Sequence, residues 1–259
     1  MENKSLTKGI NKPGLFKMLC TAMISFAIIF AKEVSAQNIY KTFENFEITN
    51  GEIDDILAEY GYKKTIPKEF KKPIAIALLY YPELKDVRIT FNLAEYSSPL
   101  IAQPTVLSAM FRNARSRHYV IGISTDSSMK PVLFENLSLD AQIGVIAHEL
   151  SHISEFIKRN RIGLLSIAVG NLRTRYMDRL EYDTDQRTID HGLGYQLLTW
   201  SRHVRMAYAV YVVGLENVND ITEVTEYNPR ERYMYPETIE DIIDKHPLYS
   251  QPSPVTDLK

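Results

Sequence analysis

The sequence predicts an α+β fold, a small mixed sheet packed on two helices with extra helices toward the C-terminus, and three observations predict it. Val87–Ala94 and His118–Ser124 are short runs rich in β-branched and aromatic residues. The apolar run Ile143-Gly144-Val145-Ile146-Ala147 reads as the middle of a buried helix. Beyond it, helical segments with their own start and stop residues follow one another toward the tail.

Residues 1–36 are set apart from that fold. Lys4, Lys8, Lys12 and Lys17 make a basic start, Met18 to Ala31 an apolar stretch, and Val34-Ser35-Ala36 a small-residue cleavage site, which is the order of a secretory signal peptide. The apolar stretch is shorter than the ~20 residues a membrane span needs. Cleavage after Ala36 is expected, leaving Gln37 as the new terminus, with a retained signal anchor as the alternative. The mature chain would then lose Cys20, its single cysteine, and rely on a hydrophobic core instead of disulfides. The expected location is a bacterial periplasm or the cell exterior.

Residues 37–66 read as a lead-in segment with one short helix near Glu52–Tyr60, closed by Gly61. The main domain is expected over residues 67–245. Pro67 opens a helix that continues through Phe70 and Ile74–Tyr81 and ends near Pro82. Val87–Ala94, Pro104–Phe111 and His118–Ser124 follow as strands, with Asn113–Arg117 as a polar hairpin turn between the last two. Ser138 is a good N-cap and Asp140 suits the positive end of the helix dipole, so a helix is expected from there to about Arg159.

Asn160–Asn171 is a connection whose apolar stretch, Ile162–Val169, is too short to cross a membrane. A helix over Leu172–Asp190 should stop near Gly192 and Gly194. A long helix, Tyr195–Leu215, and a short one, Pro236–Asp244, complete the domain. Residues 246–259 contain prolines and are expected to be a loose tail.

Chemistry is concentrated in His148-Glu149-Leu150-Ser151-His152, an HExxH pattern inside the apolar helix. Residues four apart on a helix lie about 40° from one another around its axis, so both imidazoles leave one face, one turn apart. That spacing suits two nitrogens on one Zn²⁺ at roughly 2.0–2.1 Å, with Glu149 beside them as a general base toward water. Two buried imidazoles without polar partners would be costly, and a metal relieves that cost. Downstream, Glu181 and Asp185 form an ExxxD pair, again one helical turn apart. A catalytic zinc takes a third protein ligand and keeps a fourth position open. Glu181 can be that ligand, and Asp185 can accept the second-nitrogen proton of a zinc-bound histidine. Glu155, Asp183, Asp185 and His191 compete with Glu181 for the ligand role.

On these residues the chain resembles the gluzincin metallopeptidases, and within them the HtpX-like and CAAX-prenyl-protease group with its minimal soluble relatives. His148, Glu149, His152, Glu181 and Asp185 each match that pattern, and the resemblance covers roughly residues 87–195. It implies a zincin-like metallopeptidase domain in which His148, His152 and Glu181 hold one Zn²⁺ per chain, Glu149 is the general base and Asp185 orients a ligand. The metzincin pattern fails, because Glu155 stands where a glycine belongs and Lys158 where a third histidine belongs. No set of spanning helices like that of the family's large membrane members is present in the sequence.

Charge turns the reading away from nucleic acid. Without residues 1–36 the chain has 25 basic and 30 acidic residues, a formal charge of −5 with no dominant basic face. Arg173, Arg175, Arg179 and Arg187, interleaved with Asp178, Glu181, Asp183 and Asp185, read as an ion-paired helix surface. The expected function is thus an exported zinc endopeptidase acting on protein or peptide substrates, with Tyr195, Arg202 or His203 as possible oxyanion donors. His118 and its strand are expected to border the cleft, where an edge strand would pair with a substrate backbone. The alternative is a non-catalytic envelope binding or chaperone-like module braced by a structural metal, which would close the site with a fourth protein ligand.

Overall fold

Where the sequence supplies a cap, a helix starts. In the computed structural model, which describes residues 38–160, 162–164, 174–208 and 232–250, helix α1 (Asn50–Tyr60) begins at Thr49. The Thr49 hydroxyl accepts from the Glu52 N–H while the Glu52 carboxylate accepts from the Thr49 N–H, a reciprocal capping box. The chain continues through β1 (Lys64–Thr65), α2 (Lys71–Leu79), β2 (Arg88–Ala94), β3 (Leu100–Pro104), α3 (Val106–Phe111) and β4 (His118–Ser124). Then come the long α4 (Leu139–Phe156), α5 (Thr174–Asp190), α6 (Gly194–Tyr208) and α7 (Pro236–Lys245). The expected signal segment, Cys20, most of Ile162–Val169 and the last third of the expected Tyr195–Leu215 helix lie outside the described residues.

The four strands form a mixed sheet in the order β1-β2-β4-β3, parallel except for β3, which runs antiparallel along one edge. Because strand side chains alternate between faces, Ile89 and Phe91 of β2, Leu100 of β3, and Tyr119, Ile121 and Ile123 of β4 turn to one face. There they are buried against Ile74, Ala75 and Leu78 of α2 and against Ile143, Ile146, Leu150 and Ile153 of α4. Helix α4 is buried on nearly all sides, with Ile143, Val145, Ile146, Leu150 and Ile153 in the core and His148, Glu149 and His152 also buried.

Two sequence expectations about this region are corrected. The third strand is Leu100–Pro104, and Pro104–Phe111 is mostly helix α3. Leu107, Ala109 and Met110 are good helix formers. Pro104 ends the strand, and the Ala109 and Arg112 N–H groups turn back to the Thr105 and Ser108 carbonyls. Asn113–Arg117 therefore is no hairpin turn but a 3₁₀ turn leading from α3 into β4. The second correction concerns His118: β4 lies inside the sheet, between β2 and β3, so the edge on this side of the sheet is β3, the opposite edge being the two-residue β1.

Helix α4 is held at both ends by charges of the helpful sign. At its N-terminus Ser138 accepts from the Ala141 N–H, and the buried Asp140 accepts from the Thr42 hydroxyl (2.6 Å) and the Phe43 N–H (2.8 Å). Glu44 accepts from the Asp140 N–H in return, at 3.1 Å. At the other end the fully buried Arg117 guanidinium donates to the carbonyls of Phe156 (3.3 Å) and Arg159 (2.8 Å). The lead-in is thus packed onto the domain, supplying β1 as well as the clasp on α4.

Helix α6 crosses α4 at Gly144, where an added Cβ would stand 2.2 Å from the Gln196 carbonyl oxygen and 2.5 Å from its carbon. Backbone cannot yield as a flexible side chain can, so Gly144→Ala should destabilise the fold by about 2 kcal/mol or more, read as a lower midpoint in urea with an unchanged slope. Helix α5 stops at Gly192, whose φ of +88° is the left-handed conformation glycine tolerates. A second, smaller core joins Ile189, Leu197, Leu198, Met234, Ile239 and Ile243. The Tyr249 hydroxyl closes it, donating to the Ile189 carbonyl (2.7 Å) and accepting from the Gly194 N–H (2.8 Å). The segment expected to be loose from His246 therefore begins with a packed turn; residues 251–259 lie outside the described ones.

Candidate metal centre

The two histidines of α4 and one face of α5 meet in the core. Glu181, Thr184, Asp185 and Thr188 recur at helical spacing and are the buried side of an otherwise polar helix. Each imidazole is held from behind. His148 Nδ1 lies 2.7 Å from Asp185 Oδ1, and His152 Nδ1 lies 3.3 Å from Thr184 Oγ1. The Thr184 hydroxyl donates its hydrogen to the Leu180 carbonyl at 2.7 Å, so toward His152 it accepts. In the neutral imidazoles, the form that binds a cation, both Nδ1 atoms would carry the proton and both Nε2 lone pairs would face forward.

Those Nε2 atoms converge on Glu181 Oε2, each at 3.2 Å, with the rings nearly perpendicular at 84°. The three ligand atoms lie within 4.8 Å of one another and all three residues are buried. Three lone-pair-bearing atoms facing one point fit a cation, and the group could hold a metal ion. No fourth histidine, cysteine or carboxylate joins them among the described residues.

The electrostatics agree with a site shaped for positive charge. Burial alone would lower the His148 imidazole, but hydrogen bonds to Asp185 and Glu181 outweigh it and hold that ring well above its usual range. Burial opposes the Glu181 carboxylate, and the two imidazoles overcome it, drawing that group far below the usual range. Glu149 goes the other way. Burial pushes its carboxyl up, and the pull of His152 and His148 and a hydrogen bond from the Ala102 N–H offset this only in part.

Asp185 has a second task. Its Oδ2 accepts from the Met234 N–H at 2.8 Å, while Arg232 pairs with Asp178 of α5 at 2.8 Å. The strap 232–234 is thereby fastened to α5 on both sides of Tyr233, whose ring centroid lies 5.8 Å from that of His148. The side chain is half exposed. Burial, then the fields of Glu181, Glu149 and Asp185, keep the phenol protonated far above its ordinary range.

The structure brings together His148, Glu149, His152, Glu181 and Asp185, and leaves the other candidates elsewhere. Glu155 pairs with Arg187 (3.1 Å) and Arg159 (2.5 Å), and Asp183 faces Arg179 at 3.7 Å on the surface. His191 sits between the Arg187 carbonyl (2.7 Å) and Glu83 (2.9 Å), stacked on Tyr81. Among the proposed donors, Tyr195 packs on Tyr249, Arg202 pairs with Glu240, and His203 meets the Pro131 carbonyl at 2.8 Å. Tyr233 and Thr184 were not singled out by sequence reasoning. Thr184 carried a signal, lying three residues from Glu181 on the face that Glu181 and Asp185 define; Tyr233, 48 residues after Asp185, carried none.

Compared with protein-family models, with curated proteins and with solved structures, the chain matches none. Among the described residues no helix is long and apolar enough to cross a membrane.

Proposed function

We propose that this protein is a zinc-dependent endopeptidase of gluzincin type, built on a zincin-like domain and exported by the signal-like segment 1–36. The observation that carries the reading is the convergence of His148 Nε2, His152 Nε2 and Glu181 Oε2 on one buried point with Glu149 alongside. Three ligands and no fourth among the described residues favour an open, catalytic position over a closed structural one. When bound, Zn²⁺ supplies Lewis acidity, making water nucleophilic near neutral pH and drawing charge from a carbonyl oxygen.

The chain's own residues do the rest. His148, His152 and Glu181 hold the ion, and Asp185 and Thr184 fix the tautomers that let the imidazoles do so. Glu149 takes the proton of the attacking water and passes it to the leaving amine, and its raised affinity for protons suits a base near neutral pH. Tyr233 lines the same site as a protonated phenol and donates to the developing oxyanion. Tyr233→Phe is expected to lower kcat by about 10²-fold with KM and zinc content nearly unchanged, measured by steady-state kinetics.

Substrate is held by the free edge of β3. Ser124 N–H donates to the Pro99 carbonyl and Thr105 N–H to the His118 carbonyl, so by alternation Ile101 and Gln103 also face β4. Leu100 and Ala102 then turn their backbone groups outward, where an extended peptide can add as a further strand. Without a bound peptide the Ala102 N–H acts on Glu149, holding its carboxyl down slightly, so that edge leads toward the same carboxylate.

Elemental analysis of the dialysed protein should find about one zinc per chain. Hydrolysis of a peptide library should be lost to a chelator and restored by Zn²⁺. A folded protein that retains no zinc rejects the reading; a zinc-loaded protein that cleaves nothing transfers it to the binding-module alternative.

A further inference from the structure

Helix α3 is built inside out. Its one buried side chain is Ser108, whose hydroxyl is within 3.1 Å of both the N–H and the carbonyl oxygen of His118 and 2.7 Å from the Thr105 hydroxyl. The apolar side chains turn outward instead: Val106 is 74% exposed, Leu107 73% and Met110 58%. Positions 106, 107 and 110 lie on one helix face, so they form a continuous apolar ridge. A soluble surface has no reason to present such a ridge on a helix anchored by a serine.

Charge identifies what the ridge meets. Residues 96–125 contain no Asp or Glu, although the chain as a whole is acidic, with a net charge of −2. Arg112 and Arg115 follow the ridge directly, both are exposed, and no carboxylate of the described residues pairs with either. Outward apolar side chains flanked by arginines are what an interfacial anchor offers to acyl chains and headgroup phosphates. A second copy of this chain fits worse, because a two-fold contact through the ridge would bring its arginines toward those of its partner.

We propose that α3 docks this protein on the surface of an anionic lipid bilayer, Val106, Leu107 and Met110 entering the acyl boundary and Arg112 and Arg115 meeting the headgroup phosphates. The helix is preset for this by its attachment to β4 through Ser108 and the Thr105 N–H. The docking stands apart from the chemistry of the metal centre. Resting on the function proposed above, it adds that substrates are polypeptide segments lying at a membrane surface, because Ala102 on the substrate edge is four residues before Val106.

The test is local, so that binding by residues 18–31 does not obscure it. The full chain carrying Leu107→Trp is mixed with vesicles of phosphatidylglycerol and phosphatidylcholine, and the signal of Trp200 is subtracted using the parent chain. The indole at position 107 should shift to the blue and be quenched by brominated acyl chains. Arg112→Glu with Arg115→Glu should weaken partitioning about 30-fold or more, and phosphatidylcholine alone should give little binding. An indole that stays water-exposed on vesicles that bind the protein overturns the proposal. So does an indole already blue-shifted without lipid, which would mean that the ridge is covered by protein. Neither outcome touches the zinc content or the peptide cleavage on which the proposed function depends.

Discussion

Glu149→Gln is expected to leave the zinc content unchanged and to reduce peptide hydrolysis by about 10²–10⁴-fold, the usual contribution of a general base. The variant keeps the size of the side chain and one of its acceptor oxygens, so the helix and the three candidate ligands should keep their places. What it removes is proton affinity. Burial raises that affinity in Glu149 above the usual carboxylate range, and the group works only when ionised. On the proposed function, hydrolysis by the parent protein should therefore fall as pH drops through that raised range, and the residual activity of the variant should lack this acidic limb. Undiminished turnover by the zinc-loaded variant would move the base elsewhere.

Glu181→Ala should strip the metal. In the proposed site its carboxylate is the one anionic ligand, and both imidazoles point at the same oxygen, each from 3.2 Å. Losing a ligand should cost more than the about 10–100-fold in affinity that follows loss of a supporting partner, and Asp185→Asn should fall within that smaller range. Both are read by competition with a zinc-binding dye, with circular dichroism to show that the variants are folded. Glu155→Gln serves as the control and should keep zinc, since Glu155 is engaged by Arg187 and Arg159. Normal retention by Glu181→Ala together with loss in Glu155→Gln would falsify the ligand assignment.

The parts of this fold that were legible in the sequence are those decided by neighbours along the chain. The Ser138 cap, the bounds of His118–Ser124 and the start of α7 at Pro236 depend on local backbone chemistry and stand as expected. His148 with His152, and Glu181 with Asp185, each share a helix face as the spacing requires; that the two faces meet is a tertiary contact, implied beforehand only by a metal's need for a third ligand and by the family resemblance. Helix α3 was misread because Val106, Leu107 and Phe111 resemble a strand until Ser108 is seen turned onto His118. The edge of the sheet was misplaced for a different reason: β3 precedes β4 in the chain but pairs on its far side, and strand order is a tertiary property. Tyr233 belongs to the same class, brought to the site by a strap whose anchors, Asp178 and Asp185, sit on another element.

The clasp of Thr42, Phe43 and Glu44 on Asp140 sets a limit on how this polypeptide can be shortened. The hold extends upstream, since the Tyr80 hydroxyl donates to the Asn38 carbonyl at 2.8 Å, Ile39 is buried and the Gln196 amide donates to the Tyr40 carbonyl at 3.1 Å. A cut ahead of Asn38 spares every one of these ties, whereas a cut only a few residues later frees the end of the helix that carries both histidines. Trimming past this clasp is therefore expected to loosen the helix that carries the candidate ligands His148 and His152, although Asn38 and His148 are 110 positions apart in the chain.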